Sequence, residues 1–383
     1  MRVDEHEFIV PLQAGHRGLL AHLAEATREK LGSRRVPIRV VVSRSSERGY
    51  HCEVAALHGA PADRQRGIFE FRRRPFHDDR RFNAVLLIPT GVGCTIGGHA
   101  GDANPLAMLV ASACDTLVLH PNVVNASDLN ELPANALYVE GSVLSRLMMG
   151  TVGLARPRAN RVLVIAAEHE EQMLAHATEN SVNAARATFG IEIPAMVVMK
   201  AAPAVIARNT PSGRAAGEVE NLAPLVELLH DRRASYDAVA LCTQVAVPSG
   251  TYESYFGNEE GDVVNPWGGV EALLTHALSH LLEVPTAHAP MYENVETATQ
   301  DFGIVDPRMA AEAISTAFCM SILKGLHRSP RIVSDVSPGD RPDLLDATGI
   351  SCLITPDGCV GLPLLAALEQ GITVIAVREN TNV

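Results

Sequence analysis

The feature that most constrains the fold is a regular alternation of short apolar segments with helical segments, which begins at residue 82. The apolar segments include VLVIA (162–166), AVALC (238–242) and VIAV (374–377), and each of them is apolar on both faces. Strands of this kind are typical of a parallel sheet that helices cover on both sides. The sequence therefore predicts an α/β fold with a mainly parallel, doubly wound sheet.

Hydrophobic periodicity gives a coarse map of this region. Strands are predicted at 84–89, 116–120, 162–166, 195–199, 238–242, 351–355 and 373–377. Helices are predicted at 105–114, 169–187, 218–230, 266–283, 307–326 and 361–370. Three of the helices are expected to begin where a proline follows a polar capping residue, at Asn104, Asn265 and Asp306.

The first 80 residues have a different pattern. The stretch 16–32 has helical apolar spacing and ends at Gly32, while 37–57 predicts two strands around a polar turn. We therefore expect a small α+β module over residues 1–80 and an α/β domain over 81–383, which could divide into two lobes near residue 155. The segment 208–221, rich in glycine, serine and charge, is expected to be a mobile loop.

Composition excludes several classes of protein. The formal net charge of −12 argues against a nucleic-acid or anionic-membrane partner. The seven cysteines are scattered without a CxxC pair, which is typical of a reduced, cytoplasmic protein. We find no signal-peptide pattern at the N-terminus and no apolar run of the roughly 18 residues that a membrane span needs. The expected partner is a small anionic ligand, and a homo-oligomer is compatible with the sequence.

The loop 90–105, TGVGCTIGGHAGDANP, is the first candidate site. It follows a predicted strand and precedes a predicted helix, which is where α/β proteins bind ligands. Glycine backbone and a helix N-terminus favour an anion, although the loop is neither a Walker A motif nor a GxGxxG motif. His99 and Asp102 are candidate acid–base groups. The candidate ligand-binding residues are Gly91, Gly93, Thr95, Gly97, Gly98 and Asn104. The alternative is a tight crossover without a ligand.

A second polar loop, 117–131, follows the next predicted strand. His120 is a candidate acid–base residue, and Asn122 and Asn125 are candidate binding residues. Because loops after consecutive parallel strands open on the same edge of a sheet, we expect this loop to face the same crevice as 90–105. The alternative is a turn rich in Asx residues that caps a short helix.

The segment 265–296 contains a histidine pair. His276 and His280 are spaced i and i+4, which can place two ligands on one metal ion, with His288 as a candidate third ligand. The alternative is a polar helix face. Trp267 and Glu271, near the predicted helix start, are candidate ligand-binding residues.

The C-terminal segment 351–383 runs as strand, glycine turn, helix and strand. Asp357 and Gly358 in the turn are candidate ligand-binding residues, and we expect them to meet His99 and His120 at one crevice. This segment resembles the nucleotide-sugar half-site of two-domain glycosyltransferases and epimerases. It departs from their pattern at Thr373, where they have proline, and in the absence of an acidic residue near the helix start.

Five stretches together resemble a known family: GVGCTIGGHAGDANP, HPNVVNASDLNE, NPWGGVEALLTHALSHLLEVPTAHAPM, VDPRMAAEAIS and PDGCVGLPLLAALEQGITVIAVRENTNV. The family is a domain of unknown function found in bacteria, cyanobacteria and plastids. The resemblance covers most of the chain beyond residue 80, and it implies neither an activity nor catalytic residues. A fainter likeness, through GGVE at 268–271 and the glycine-rich loop, is to nicotinate-nucleotide phosphoribosyltransferases.

Three functions remain open from the sequence. The first is an enzyme that acts on a small phosphorylated or carboxylated metabolite by transferase, isomerase or lyase chemistry. The second is a metal-dependent hydrolase or lyase that uses His276 and His280. The third is a non-catalytic small-ligand binding protein. No dinucleotide fingerprint is present, and the sequence leaves the cofactor open.

Overall fold

The structure is a computed structural model that describes residues 1–13, 15, 18–89, 98–99, 101–124, 129–210, 214–257, 264–315 and 318–378. The strands in these ranges are β1 (Arg2–Val10), β2 (Arg35–Ser46), β3 (Gly49–His58), β4 (Asn83–Leu86), β5 (Thr116–Leu119), β6 (Ala136–Tyr138), β7 (Val152–Ala155), β8 (Val162–Ala167), β9 (Met196–Met199), β10 (Ala204–Asn209), β11 (Ala215–Glu220), β12 (Ala238–Cys242), β13 (Thr286–His288), β14 (Arg331–Ser334), β15 (Cys352–Pro356), β16 (Val360–Gly361) and β17 (Thr373–Val377).

The helices in the same ranges connect and cover these strands. They are α1 (Leu19–Leu31), α2 (Asn104–Ser112), α3 (Gly141–Met148), α4 (Gln172–Phe189), α5 (Ala223–Asp231), α6 (Thr251–Phe256), α7 (Gly268–Leu282), α8 (Val295–Ala298), α9 (Ala310–Ile314), α10 (Phe318–Arg328) and α11 (Leu362–Gln370).

The strands form two parallel sheets and one large antiparallel sheet. The five-stranded parallel sheet has the order β17-β15-β4-β5-β6, and the four-stranded parallel sheet has the order β13-β12-β8-β9. The antiparallel sheet has the order β10-β11-β1-β3-β2-β16, and a further ribbon pairs β14 with β7. The mixed α/β fold with parallel sheets is confirmed.

The parallel strands other than the edge strands β9 and β17 are largely buried on both faces, as their apolar sequences require, whereas β9 and β17 are partly exposed. In β4, Leu86 packs into a central core between the two parallel sheets, which also contains α2, α4 and α10, while Val85 packs into an outer core with α1, α3 and α11. In β8, Val164 faces the central core and Ile165 faces a second outer core with α5 and α7. The antiparallel sheet contributes side chains to both outer cores.

Two predictions about the middle of the chain are wrong. Residues 204–209 and 215–220 form the antiparallel strands β10 and β11, so most of the described part of 208–221 is strand, and the helix predicted at 218–230 begins only at Ala223. The β10–β11 hairpin joins the antiparallel sheet through β1, and this long-range pairing has no signal in the local sequence. The helix predicted at 307–326 contains two helices, α9 and α10.

The predicted caps have mixed outcomes. Asn104 is not an N-cap, since α2 begins at Asn104 itself after Ala103 and shows no side-chain cap. The Oδ1 atom of Asn265 accepts hydrogen bonds from the amides of Trp267 and Gly268, at 3.0 and 3.1 Å, and so closes the start of α7. Asp306 accepts from the amide of Arg308, ahead of α9.

The division of the chain at residue 80 stays a prediction. The antiparallel sheet combines β1–β3 with β10, β11 and β16, so it takes strands from three distant parts of the chain. Helix α7 lies so close against this sheet that a Cβ at Gly269 would be 2.1 Å from the carbonyl oxygen of Ala215.

Candidate functional site

A cavity of about 260 Å³ lies where the three large sheets approach one another. Its wall includes residues just beyond the carboxyl ends of β4, β5 and β13 and a stretch of β2 (38–41). The first residues of α3 and α7, Gly141 and Gly268, also line it. Carboxyl ends of parallel strands and helix N-termini are the usual places for ligand sites in α/β proteins.

The structure brings several of the predicted site residues to this cavity. The amide of Gly98 donates to the carbonyl oxygen of Asn122 at 3.0 Å, so the loops after β4 and β5 meet. The predicted residues on the wall are Gly98, His120, Asn122, Trp267, Glu271, His276 and His288.

Other predicted site residues lie elsewhere. Those described but absent from the cavity wall are His99, Asp102, Asn104, His280, Asp357 and Gly358. Those outside the described residues are Gly91, Gly93, Thr95, Gly97 and Asn125. The turn that contains Asp357 nevertheless reaches the site, through Cys359 to Gly361.

His120 is held in one defined state. Its Nε2 atom accepts a hydrogen bond from the amide of Ile88 at 3.1 Å, so in the neutral ring the proton is on Nδ1. Burial lowers the pKa of His120 to about 4, and the neighbouring Glu140 and His276 have smaller effects. At neutral pH the ring is therefore an uncharged hydrogen-bond donor on the cavity wall.

Glu140 and His276 form a buried pair beside His120. The carboxylate caps α3 by accepting from the amide of Ser142 at 3.0 Å, and it contacts Nδ1 of His276. Burial raises the pKa of Glu140, but His276 and Ser142 more than offset this effect, so the pKa is lowered. The Nε2 atom of His276 has no hydrogen-bond partner among the described residues.

Glu271 and His288 form a second carboxylate–imidazole pair. The Nδ1 atom of His288 lies 2.9 Å from Oε2 of Glu271, and its Nε2 atom lies 2.9 Å from the hydroxyl of Thr243. Because an ionised carboxylate only accepts, Nδ1 carries the proton and Nε2 accepts from Thr243. The chain Thr243–His288–Glu271 thus positions Glu271 at the cavity.

Two buried arginines complete the polar part of the wall. Arg39 of β2 pairs with Glu5 of β1, and Arg214, at the start of β11, pairs with Glu53 of β3. Burial lowers the pKa of both guanidinium groups, to about 10 for Arg214, and the nearby Arg214 charge further lowers that of Arg39. A guanidinium group recognises a carboxylate or a phosphate through its planar set of donors.

The sequence analysis missed Arg39, Arg214, Glu53 and Glu140. A usable signal existed for two of them, since Arg39 interrupts an apolar run in β2 and Glu53 interrupts one in β3. A charged residue at a core position of a strand is almost always paired.

The cavity also has an aromatic wall. Tyr252 and Trp267 have ring centroids 4.9 Å apart, and both line the cavity. Behind them, the hydroxyl of Tyr255 donates to Glu312 at 2.8 Å and lies 2.8 Å from Nδ1 of His99. Because the hydroxyl hydrogen of Tyr255 is used in the hydrogen bond to the carboxylate, the ring of His99 donates to the hydroxyl oxygen. His99 is thereby part of the support behind this wall.

The two histidines of the predicted metal pair contact different groups. The Nε2 atom of His280 lies 3.2 Å from the carbonyl oxygen of Arg64, whereas His276 contacts Glu140. In the described ranges, the one set of three metal-binding side chains with converging ligand atoms is Asp4, His6 and His58, which is not at the cavity.

The comparisons with known proteins agree with the resemblance seen in the sequence. Residues 83–383 match the family described as a protein of unknown function, DUF3326, and the chain belongs to this family. An uncharacterised lipoprotein of Synechococcus is 33% identical over 310 residues, covering 79% of this chain and 82% of the relative. No solved structure matches the chain. None of the described helices is long and apolar enough to cross a membrane.

Proposed function

We propose that this protein is an enzyme that moves protons on a small carboxylated or phosphorylated metabolite bound in the cavity. The observation that carries the proposal is that three histidines, His120, His276 and His288, line one cavity, each fixed by a separate partner, beside two buried arginines. His120 and His276 are each fixed through one ring nitrogen, and the other nitrogen of each ring can serve acid–base chemistry, which a plain binding site does not need. Both ring nitrogens of His288 are engaged, and this histidine positions Glu271.

Each group then has a distinct part in the reaction. Arg39 and Arg214 bind the anionic group of the substrate, and the aromatic wall of Tyr252 and Trp267 holds its organic part. His120, neutral and donating from Nδ1, stabilises the oxygen on which negative charge develops. His276, held at Nδ1 by Glu140, takes the proton at Nε2. Isomerase and lyase reactions are the classes that this set supports best.

A metal-dependent hydrolase is the second candidate, on one specific observation. A carboxylate that holds Nδ1 of a histidine and leaves Nε2 to other partners, as Glu140 does for His276, is also the arrangement found around metal-binding histidines. Elemental analysis of the purified protein separates the two candidates, since a stoichiometric metal that is lost in His276→Gln favours the hydrolase.

The main test is a thermal-shift screen of carboxylates, phosphates and nucleotides, followed by turnover of each ligand that binds. We expect a carboxylated or phosphorylated compound to raise the melting temperature. We expect His276→Gln to keep that binding and to lose turnover. A ligand that binds and is never converted, by wild type or variant, favours the non-catalytic binding protein instead.

Two finer assignments belong to the same proposal. In the five-stranded sheet, the chain adds β5 and β6 on one side of β4 and later adds β15 and β17 on the other side. This change of side between β4 and β15 supports a doubly wound, Rossmann-like sheet with its ligand at that point. We also propose a cytoplasmic location, because none of the six described cysteines forms a disulfide. The net charge of −12 supports the absence of a nucleic-acid or anionic-membrane partner. The name of the Synechococcus relative points to a lipid anchor for that protein. Cell fractionation decides the location of this one.

A further inference from the structure

A second cluster of metal-binding side chains lies away from the cavity, on β1 and β3. The Nε2 atoms of His6 and His58 lie 2.9 and 2.7 Å from the same oxygen, Oδ1 of Asp4. The ligand atoms of the three residues all lie within 4.8 Å of one another, and the two imidazole rings are stacked with centroids 6.0 Å apart. Three donors that metals prefer therefore converge on one point.

The antiparallel ladder holds these donors in place. β1 and β3 pair over nine consecutive positions, and His58 stands opposite Arg2 on the face that Asp4 and His6 also occupy. Glu5 points to the opposite face, where it contacts Arg39 at the cavity. The cluster is thus separated from the cavity by the thickness of the sheet, and its ligand would not be the ligand of the proposed enzyme site.

The surroundings allow an ion to enter. The side chains of Asp4, His6 and His58 are between 19 and 25% exposed, so the cluster is half-buried but open to solvent. The charged group nearest to the far carboxylate oxygen, Oδ2 of Asp4, is Arg2 at 3.7 Å, and its side chain is largely exposed. Oδ1 and both Nε2 atoms face one another with no other charge between them.

We propose that Asp4, His6 and His58 bind one divalent transition-metal ion of the Zn²⁺ class. Two imidazole nitrogens and one carboxylate oxygen match the donor set of zinc sites and of two-histidine–one-carboxylate iron sites. In a tetrahedral zinc site, bonds of about 2.0–2.1 Å set ligand atoms roughly 3.3 Å apart. The two Nε2–Oδ1 distances therefore have to lengthen by about half an ångström, and the two Nε2 atoms, which lie within 4.8 Å of each other, have to reach the same separation. Three protein ligands leave the fourth position for water, as in catalytic rather than structural zinc sites.

The cluster lies before residue 83, outside the part of the chain that matches the family. The proposed metal site therefore does not rest on the family match. It also does not depend on the proposed enzyme function, because no residue of the cluster lines the cavity.

The test is a zinc titration of the full chain after treatment with a chelator, in competition with a chromophoric chelator. Wild type is compared with His6→Gln and His58→Gln, which remove one donor from each strand. His51→Gln is the matched control, because His51 also lies on β3 and its Nε2 contacts only Ser46, at 3.1 Å. Melting temperatures without metal show that all four proteins are folded.

We expect wild type and His51→Gln to bind one Zn²⁺ with the same affinity. Both His6→Gln and His58→Gln should lose at least about 100-fold in affinity, more than is usual for a residue behind a metal ligand. Co²⁺ in place of Zn²⁺ should give the intense visible bands of a tetrahedral site in wild type and His51→Gln, and not in His6→Gln or His58→Gln. The proposal is overturned if wild type binds no stoichiometric Zn²⁺. It is also overturned if His6→Gln and His58→Gln bind Zn²⁺ with the affinity of wild type.

Discussion

The Nδ1 atom of His288 lies 2.9 Å from Oε2 of Glu271, so the end of the edge strand β13 is tied to helix α7 at the cavity wall. We expect that Glu271→Gln no longer fixes His288 as the Nδ1–H tautomer, because an amide can donate as well as accept a hydrogen bond. Nitrogen-15 NMR of the imidazole should show a single Nδ1–H tautomer in wild type and a mixture in the variant. Glu227→Gln, an exposed change on α5, should leave the signal unchanged.

Gly141→Ala tests the position of His276. A Cβ at residue 141 would lie 3.1 Å from Cε1 and 3.2 Å from Nε2 of His276, so the ring has to shift by a few tenths of an ångström. We expect turnover of the ligand found in the screen to fall about tenfold, because a small displacement of a catalytic group slows the reaction, while the free energy of unfolding changes by less than about 1 kcal/mol, the usual difference between alanine and glycine in a helix. Ligand affinity should stay close to that of wild type. Turnover assays, urea unfolding and isothermal titration measure the three quantities.

The matched control is Gly268→Ala. It adds the same methyl group at the first residue of the other cavity helix, where the nearest atom is 3.8 Å away. Equal losses of turnover in both variants would mean that the position of His276 is not the cause.

The stability of the protein should fall in mild acid. Burial lowers the pKa of His99, His120 and His280 to about 4, below the value of about 6.5 for a free histidine. Between pH 6.5 and 4 the unfolded chain therefore binds more protons than the folded one, and the free energy of unfolding decreases as the pH falls. Each histidine contributes on the order of 3 kcal/mol across this window.

Urea unfolding at several pH values measures this slope. His280→Gln should make it shallower, because one of the three buried rings no longer titrates. His176→Gln, an exposed change on α4, should leave the slope as in wild type. A wild-type free energy of unfolding that is constant from pH 7 to pH 4.5 would contradict the prediction.

The ion pair of Arg214 and Glu53 should be sensitive to the loss of one partner. Both side chains are 3% exposed, so Arg214→Met leaves a buried carboxylate without its counter-charge and should cost about 3–5 kcal/mol. Glu53→Gln combined with Arg214→Met should recover part of this loss. Urea unfolding measures all the variants.

The same hairpin supplies the control. Arg208 pairs with Glu218 on the surface, and Arg208→Met should change the free energy of unfolding by less than about 1 kcal/mol. If Arg208→Met and Arg214→Met cost the same, the burial of the Glu53 pair has no special energetic role.

Local sequence was sufficient for much of the fold. β5, β8 and β12 lie where two-faced apolar runs predict them, because burial on both faces leaves a strong signal in a short segment. β17 also lies where the sequence predicts it, although it is a partly exposed edge strand. β11 was missed, since it pairs with β1 across most of the chain and its own sequence, AAGEVE, alternates only weakly. The periodicity of a short segment does not show which distant strand it pairs with.

The site was predictable only where its residues follow a recognisable strand. His120 and Asn122 come directly after β5, and so the sequence indicated that they face a ligand. Glu140 comes after β6, a strand of three residues that is too short to recognise, and its place at the start of α3 was not foreseen. Arg214 required knowledge that the β10–β11 hairpin lies beside β1.

The composition of the antiparallel sheet has a consequence for the order in which the chain can fold. Val3 of β1 pairs with Val219 of β11, so during synthesis one edge of β1 stays unpaired until about 200 further residues have been added. Contacts of such long separation slow folding, and an unpaired strand edge is a site for aggregation. The nascent N-terminal strands are therefore the part of the chain that depends most on chaperones, and expression at low temperature should favour the folded protein.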